Sequence, residues 1–185
     1  MEAVNTKLQV RDLAYIGLFA ALMAVCAWIS IPAPPPLIPF TLQTMGVFLA
    51  VGLLGGKRGT IAVLVYILLG AVGAPVFAGF RGGMGSLTGL AGGYIVGFLF
   101  TALVMWAMER LPGRRTWILG ASMVLGLAAC YAFGTVWYMA VYAQRGESIT
   151  LGAVLAVCVA PFLIPDGVKI ALALLLTSRL KPHIK

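Results

Sequence analysis

Six long apolar runs, separated by short groups of charged residues, prolines and glycines, make up most of the chain. A helix that crosses a bilayer needs about 20 consecutive, mostly apolar residues. The pattern therefore predicts an all-α integral membrane protein, built as a bundle of six transmembrane helices. The predicted spans cover residues 13–31, 40–54, 59–73, 91–108, a stretch within 116–144 and a stretch within 148–178.

The composition supports a membrane protein and excludes intrinsic disorder. Hydrophobic residues make up 62% of the 185 residues and only 10% are charged, against about 25% in soluble domains. Disorder requires low hydrophobicity and high charge. We find no internal repeat and predict a single domain over residues 1–185. The first run has 19 uncharged residues and is followed by prolines rather than a signal-peptide cleavage site, so we expect a retained span.

The basic residues predict the orientation of the chain. The net charge is +8, and the basic residues form short clusters between apolar runs, which favours topology and contact with membrane lipid over binding to nucleic acid. With six spans, both termini share a side. Because cytoplasmic loops carry the excess of Lys and Arg, we expect both termini in the cytoplasm. That side holds Lys7, Arg11, Lys57, Arg58, Arg110, Arg114, Arg115, Arg179, Lys181 and Lys185, and the other side holds Arg81 and Arg145.

The second and third spans are short for membrane helices. Runs of 15 residues reach about 22 Å as helix, less than the hydrocarbon core of roughly 30 Å. Irregular backbone at membrane depth is tolerated only where it is buried in protein or lines a polar cavity. Proline and glycine clusters adjoin both spans on the outer side, so we expect a ligand cavity there. The alternative is that flanking residues complete the spans.

Two opposite charges, Asp166 and Lys169, lie within the last apolar run. Counted back from Arg179 at the cytoplasmic surface, they lie about 20 Å and about 15 Å deep, and their spacing puts them on one helix face. Charges at this depth are costly and mark function. We expect Pro165 at a first helical position and Asp166 in the first turn, near the helix dipole. The alternatives are an ion pair without a ligand and a surface location for residues 166–185.

A glycine-dense stretch, residues 79–94, lies in the outward loop between spans 3 and 4 and runs into span 4. It is neither a Rossmann fingerprint nor a P-loop, because the required spacings are missing. Glycines such as Gly82 let backbone approach a ligand or a neighbouring helix closely. Arg81 is a lone cation that could meet a ligand carboxylate or carbonyl, or be a solvated loop residue. Tyr94 is a pocket wall or an interfacial anchor.

Neutral polar residues open the second span. Thr41, Gln43 and Thr44 follow a proline and a phenylalanine, and their hydroxyl and amide groups could serve a neutral polar ligand. The alternative for Thr41 is that its side chain caps the helix.

Small residues recur at intervals of four on the first span, as Gly17-x-x-x-Ala21 and Ala20-x-x-x-Ala24. Small residues at this spacing let membrane helices approach one another closely. The pattern fits either packing within the chain or a docking face for another membrane protein.

Residues suited to catalysis or metal binding are scarce. The chain has one histidine, close to its end, and five acidic residues that do not cluster. No acid–base, nucleophilic or metal site is predicted, and no cofactor is expected. The three cysteines lie far apart in apolar runs and are expected to be buried thiols. A binding or transport role is therefore favoured over an enzyme.

Four segments together resemble the BioY family, and the resemblance covers nearly the whole chain in order. BioY proteins are the biotin-specific substrate-binding (S) components of energy-coupling factor (ECF) transporters. The resemblance implies a six-helix subunit of a prokaryotic plasma (inner) membrane. It would bind biotin in an outward-facing pocket and work with a coupling protein (the T component) and a pair of ABC-type ATPases. The segments are PFTLQT at 39–44, GAPVFAG at 73–79, GGY at 92–94 and PDGVK at 165–169.

The resemblance also implies roles for single residues. Asp166 and Lys169 match the polar pair at the biotin site, and Arg81 matches a ligand contact from the glycine-rich loop. Ala20 and Ala24 match the pattern with which S components face the T component. Asp166 could accept from the ureido N–H groups of biotin, and Lys169 could donate to its carbonyl or neutralise Asp166.

The chain departs from the family at one point, and other functions stay open beside the resemblance. Where the family often has Gly-Pro-Thr/Ser-Gly-Gly-Tyr, residues 89–94 read GLAGGY, without the proline and the hydroxyl. The alternatives to biotin binding are an S component for another small vitamin and, in a different class, a small membrane enzyme or scaffold.

Overall fold

Eight α-helices account for most of the part of the chain that the computed structural model describes, residues 9–32, 38–111 and 116–183. Two 3₁₀ turns, Ala78–Phe80 and Lys181–His183, and two short strands complete it. The strands β1 (Ser30–Ile31) and β2 (Phe40–Thr41) pair antiparallel, with Ser30 opposite Thr41. The helices are α1 (Val10–Trp28), α2 (Gln43–Leu54), α3 (Gly56–Ala71), α4 (Met84–Thr88), α5 (Gly92–Glu109), α6 (Thr116–Gln144), α7 (Leu151–Cys158) and α8 (Ala160–Leu180).

The prediction of an all-helical protein is confirmed, apart from the two-residue strands. Each of the first five predicted spans corresponds to one helix, and the last predicted region holds two, α7 and α8. Among the described residues, α1, α5, α6 and α8 are long and apolar enough to cross a membrane, and α2 is a shorter apolar helix. The count of six spans and the side on which the termini lie stay predictions.

The short helix α2 lies in the middle of the bundle. It contacts α1, α3, α5, α6 and α8, and ten of its twelve residues are buried. A helix that is hydrophobic all round belongs in the interior, so its neighbours rather than lipid cover it. At about 18 Å, α2 leaves space beyond its first residue, Gln43, and that space belongs to the cavity described below.

Close approach of backbones joins α5 to α6. A Cβ atom on Gly97 would come 3.1 Å from the carbonyl oxygen of Cys130, and one on Gly126 would come 3.0 Å from that of Thr101. A larger residue at either position would require the opposing backbone to shift. Thr101 Oγ1 also donates to Gly126 O at 2.9 Å, a hydrogen bond between helices of the kind that stabilises association in lipid.

Polar contacts join the helices at the end of the bundle that lies away from the cavity. Arg58 near the start of α3 forms an ion pair with buried Asp12 of α1 at 3.1 Å. The backbone N–H of Gly56 donates to Glu109 at the end of α5 at 2.5 Å, so an acid caps the N-terminus of α3. Lys181, just after α8, donates to a carbonyl near the end of α2. These contacts connect five helices, α1, α2, α3, α5 and α8, at this end of the bundle.

The course of the last region differs from the prediction. The backbone breaks at Val159, with φ −122° and ψ −54°, and α8 begins at Ala160. Pro161 takes the first turn, where its missing N–H costs nothing, and Pro165 lies inside the helix. Asp166 is therefore in the helix interior and not in the first turn, so the predicted contact with a helix N-terminus is wrong.

Several residues used in the predictions lie outside the described residues. They include basic residues counted for the orientation and most of the proline-rich segment after α1. They are Lys7, Arg114, Arg115, Lys185 and residues 33–36.

The small residues of α1 divide between two faces. Ala20 and Ala24 are 3% and 5% exposed and belong to the hydrophobic core, where α1 contacts α2 and α3. Gly17 and Ala21 are exposed, and a Cβ atom on Gly17 would meet nothing within 4 Å. A buried methyl group offers a partner no surface. Ala20 and Ala24 are therefore not accessible to a partner, and of the predicted docking face only Gly17 and Ala21 are exposed.

This division predicts different costs for the same substitution on neighbouring residues. Ala20→Leu adds volume to a packed core and should lower the free energy of unfolding by about 1–3 kcal/mol. Ala21→Leu, on the exposed face, should change it by less than about 0.5 kcal/mol. Thermal unfolding of the purified variants in detergent measures both. Equal melting temperatures for the two variants would contradict the placement of Ala20.

Candidate ligand-binding site

A cavity of about 450 Å³ lies beyond the start of α2, within the range of roughly 300–1,000 Å³ that is typical of small-molecule sites. Its wall is built by the β1–β2 pair, α2, the loop after α3, α5, α6, α7 and α8. Of the seven predicted ligand residues, the structure brings six to this one wall. They are Asp166, Lys169, Arg81, Gln43, Thr41 and Tyr94.

The charged pair lies at the buried end of the cavity. Asp166 and Lys169 are 2% and 4% exposed, and Lys169 Nζ lies 2.7 Å from Asp166 Oδ1. Their spacing along α8 puts both side chains on the same face, as predicted from the sequence. Each charge neutralises the other, so the buried end of the cavity carries no net charge.

Residues from α2 and α6 complete the coordination of the carboxylate. Thr44 Oγ1 donates to Asp166 Oδ1 at 3.1 Å, and the hydroxyl of Tyr131 donates to Asp166 Oδ2. With Lys169, three of about four lone-pair positions of the carboxylate accept hydrogen bonds from described residues. A buried carboxylate is stable only with such partners, and one acceptor position is left for a ligand.

The ammonium group of Lys169 is similarly surrounded. It donates to the backbone carbonyl of Thr41 at 2.6 Å and lies 4.2 Å from the centre of the Phe40 ring. A cation over an aromatic face is stabilised by the ring quadrupole. Phe40 stacks in turn on Phe162, with ring centres 6.3 Å apart. Thr41 contacts the pair through its main-chain carbonyl, and its side-chain hydroxyl accepts from the backbone N–H of Gln43, the first residue of α2, at 3.4 Å.

A second series of hydrogen bonds is centred on Gln43. Its Oε1 accepts from Thr41 Oγ1 at 2.9 Å, and its Nε2 donates to the hydroxyl of Tyr66 at 2.6 Å. That hydroxyl donates to Val76 O at 3.0 Å. These hydrogen bonds orient the Gln43 amide and connect α2 and α3 to the loop that follows α3, because the Gln43 amide and the Tyr66 hydroxyl each both donate and accept.

The loop after α3 carries Arg81 on a tight turn. Phe77 N donates to Arg81 O at 2.9 Å. Trp28 at the end of α1 stacks on Phe80, with ring centres 5.1 Å apart, and its Nε1 donates to Pro75 O at 2.9 Å. Phe80 has a φ of +57°, which is uncommon for a residue other than glycine. These contacts hold the exposed Arg81 at the open end of the cavity.

Gly82 is the one predicted ligand residue that does not line the cavity. A Cβ atom there would come 2.7 Å from the carbonyl oxygen of Gly73 and closer still to that of Ala74. Its neighbour Gly83 donates to Gly70 O at 2.7 Å. Of the two alternatives for this glycine, the structure favours close approach of backbone within the loop over approach to a ligand.

Tyr94 forms part of the wall rather than an anchor at the membrane interface. It is buried, and its hydroxyl lies 3.5 Å from Thr135 Oγ1. Gly134 lies against its ring. Two of the buried thiols, Cys130 and Cys158, line the cavity beside it. This side of the site is therefore mostly apolar, as expected for a pocket that holds the body of a small organic ligand.

Tyr131 and Arg145 are among the cavity residues that the sequence did not single out as ligand contacts. Tyr131 lies in the long uncharged stretch of α6, where nothing distinguishes it from other aromatic residues of a membrane helix. Arg145 was counted only as a charge on the outer side, yet it lines the cavity from the end of α6. In the sequence, the feature that could have indicated a ligand contact is that Arg145 is one of only two basic residues on the predicted outer side. The described residues hold no group of three His, Cys, Asp or Glu side chains that could bind a metal ion.

Comparison with known proteins identifies relatives along nearly the whole chain. The BioY family matches residues 2–185. A protein of Thermotoga maritima named biotin transporter BioY is 44% identical over 172 residues, which cover 92% of this chain and 96% of that protein. A probable biotin transporter BioY of Pyrococcus horikoshii is 35% identical over 174 residues, 94% of this chain and 98% of that protein.

Two solved structures share the fold. One is the S-component for biotin from an ECF-type ABC transporter, with a TM-score of 0.81 and 28% identity over 98% of this chain and 95% of that one. The other is the S component of a bacterial ECF transporter, with a TM-score of 0.61 and 19% identity over 96% of this chain and 99% of that one. With the match over residues 2–185 and relatives above 30% identity, the chain belongs to the BioY family.

Proposed function

We propose that this protein is the biotin-binding S component of an ECF-type importer, a transporter subunit and not an enzyme. The observation that carries the proposal is the neutral, fully buried pair of Asp166 and Lys169 at the end of a ligand-sized cavity, in a chain of the BioY family. The names of the relatives and of the structural neighbour at 28% identity support biotin as the ligand.

The buried end of the cavity suits the ureido ring of biotin. That ring is neutral, with two N–H donors and one carbonyl acceptor. Asp166 has one acceptor position left for an N–H group, and Lys169 and the oriented amide of Gln43 supply donors. A neutral ring exchanges its hydrogen bonds with water for hydrogen bonds with these groups, and no net charge enters the membrane interior.

Placing the ureido ring at the buried end also determines where the thioether ring and the carboxylate of biotin would lie. The thioether ring would lie against the apolar wall around Tyr94 and Phe162. The valerate carboxylate would point to the exposed end of the cavity, because a carboxylate at the buried end would face a site already neutral and would lose its hydration. Gly82 would act on the ligand only through the shape of its loop.

The remaining proposals concern the setting of the subunit. Residues 1–185 form one transmembrane substrate-binding domain with six spans in a prokaryotic plasma membrane, with both termini in the cytoplasm and lipid around it. The partners are a T component and a pair of ABC-type ATPases. The exposed small face of α1 at Gly17 and Ala21 would receive the T component, because small side chains permit close helix contact.

Removing the charge of either pair member should weaken biotin binding. In Asp166→Asn the ammonium of Lys169 loses its counter-charge, and in Lys169→Ala the carboxylate does. We expect the dissociation constant to rise at least about tenfold in both, since a buried charge-assisted contact contributes 1.5–3 kcal/mol. Isothermal titration of the detergent-purified protein with biotin measures this change.

Thr177→Val is the matched control for this experiment. Thr177 is also a buried polar residue of α8, but its hydroxyl has no hydrogen-bond partner among the described residues and does not line the cavity. Its variant should bind like the wild type. Unchanged affinity in both pair variants would defeat the site assignment. Binding of another vitamin in place of biotin, or a bound lipid product found by mass spectrometry, would favour the alternative functions.

Docking on α1 should be separable from ligand binding. Ala21→Trp places a bulky side chain on the exposed face, so we expect loss of co-purification with the T component and unchanged biotin affinity. Leu172→Trp, on the exposed side of α8, is the control and should preserve both. Retained co-purification of Ala21→Trp would argue against this face.

The proposed orientation can be tested by labelling engineered cysteines in intact cells. Glu147→Cys lies between α6 and α7 and should react with a membrane-impermeant maleimide from outside. Leu111→Cys, exposed after α5, should react only after the membrane is opened. Labelling of the wild type gives the baseline for its own three thiols, two of which line the cavity. The reverse pattern would invert the topology.

A further inference from the structure

The charges that line the cavity do not balance. Asp166 and Lys169 cancel one another, but the wall holds two more cations, Arg81 and Arg145. Neither forms an ion pair with an acidic residue in the described parts of the chain. Both are exposed, so they lie at the open end of the cavity, away from the pair. This end therefore carries an excess of positive charge.

None of the described acidic residues neutralises the positive charge of Arg81 and Arg145. Asp12 and Glu109 are engaged at the other end of the bundle, with Arg58 and with the backbone of Gly56. Glu147 is exposed and only two residues from Arg145, yet it forms no ion pair with a described residue. An anion that enters the cavity would meet two guanidinium groups at its open end, and among the described acidic residues only Asp166, at the buried end, lines the cavity.

The position of Arg145 is determined by the way α6 ends. Gly146 has a φ of +77°, Gly146 N donates to Ala143 O at 3.1 Å and Glu147 N donates to Tyr142 O at 3.3 Å. This is the Schellman arrangement, in which a left-handed glycine reverses the chain after a helix. It holds the backbone of Arg145 at the rim of the cavity. A cation at the C-terminus of a helix also interacts favourably with the helix dipole. An experiment must therefore distinguish this structural role from a role in ligand binding.

We propose that Arg145 binds the carboxylate of the ligand and makes the site selective for ligands that carry this charge over neutral analogues. The guanidinium group presents paired N–H donors that match a carboxylate. The neutral buried end fixes the ring of the ligand, and Arg145 then recognises the opposite end. The inference rests on the proposed function, because biotin is the ligand whose two ends are assigned.

The test compares biotin with its primary amide, which has the same rings and chain but no charge. Arg145→Gln should weaken biotin binding about tenfold and change binding of the amide less than about twofold. Arg145→Lys keeps the charge and should retain most of the preference. Arg179→Gln removes an exposed arginine from the far end of α8 that does not line the cavity and should change neither ligand. Thermal unfolding without ligand reports on the helix-ending role.

The outcomes separate this inference from the proposed function. A selective loss for biotin in Arg145→Gln supports it. An equal loss for both ligands with a lower melting temperature assigns Arg145 to the end of α6 and overturns it, as does no loss for either ligand. If the wild type binds neither ligand, the proposed function fails and this inference with it. If Asp166→Asn weakens biotin binding while Arg145→Gln shows no selectivity, the inference alone fails.

Discussion

Opposite charges one helical turn apart, Asp166 and Lys169, can persist in an apolar interior only when their donors and acceptors are met. In this protein the partners come from three places: Thr44 on α2, Tyr131 on α6 and the carbonyl of Thr41 on β2. The contacts that make the charges tolerable are therefore the same contacts that bring α2, α6 and α8 together at one end of the bundle. Binding site and helix packing depend on one set of hydrogen bonds.

The position of α2 follows from its length and composition. Its surface is apolar on every side and it is too short to cross the hydrocarbon core, so it is covered by other helices and leaves a space beyond Gln43. The ends of the longer helices and the glycine-containing loop after α3 surround this space. At its buried end the cavity is polar but neutral, and at its exposed end it is positive. This polarity matches a ligand with a neutral ring at one end and an anionic group at the other.

The sequence predicted the parts of this arrangement that depend on local spacing. Apolar length located the helices, and the interval between Asp166 and Lys169 put both on one face. It could not distinguish which small residues of α1 face inward, because Ala20 and Ala21 differ only in how the helix is rotated against α2 and α3. It also placed Pro165 at a helix start, although Pro161 satisfies the same requirement one turn earlier. Tyr131 joins the site through the packing of α6 on α8, which no local pattern records.

The charged helix α8 follows the other described elements that line the cavity, and its main partner on α2 is 122 residues earlier. During synthesis Thr41, Thr44 and Tyr131 are made before Asp166 leaves the ribosome. The helix that is most costly to insert alone thus arrives when the groups that satisfy it already exist. Its two charges are of opposite sign and close enough to neutralise one another on the way. The order of the segments along the polypeptide therefore favours docking of α8 onto helices that have already been made, so that the charged pair joins the cavity wall after its partners.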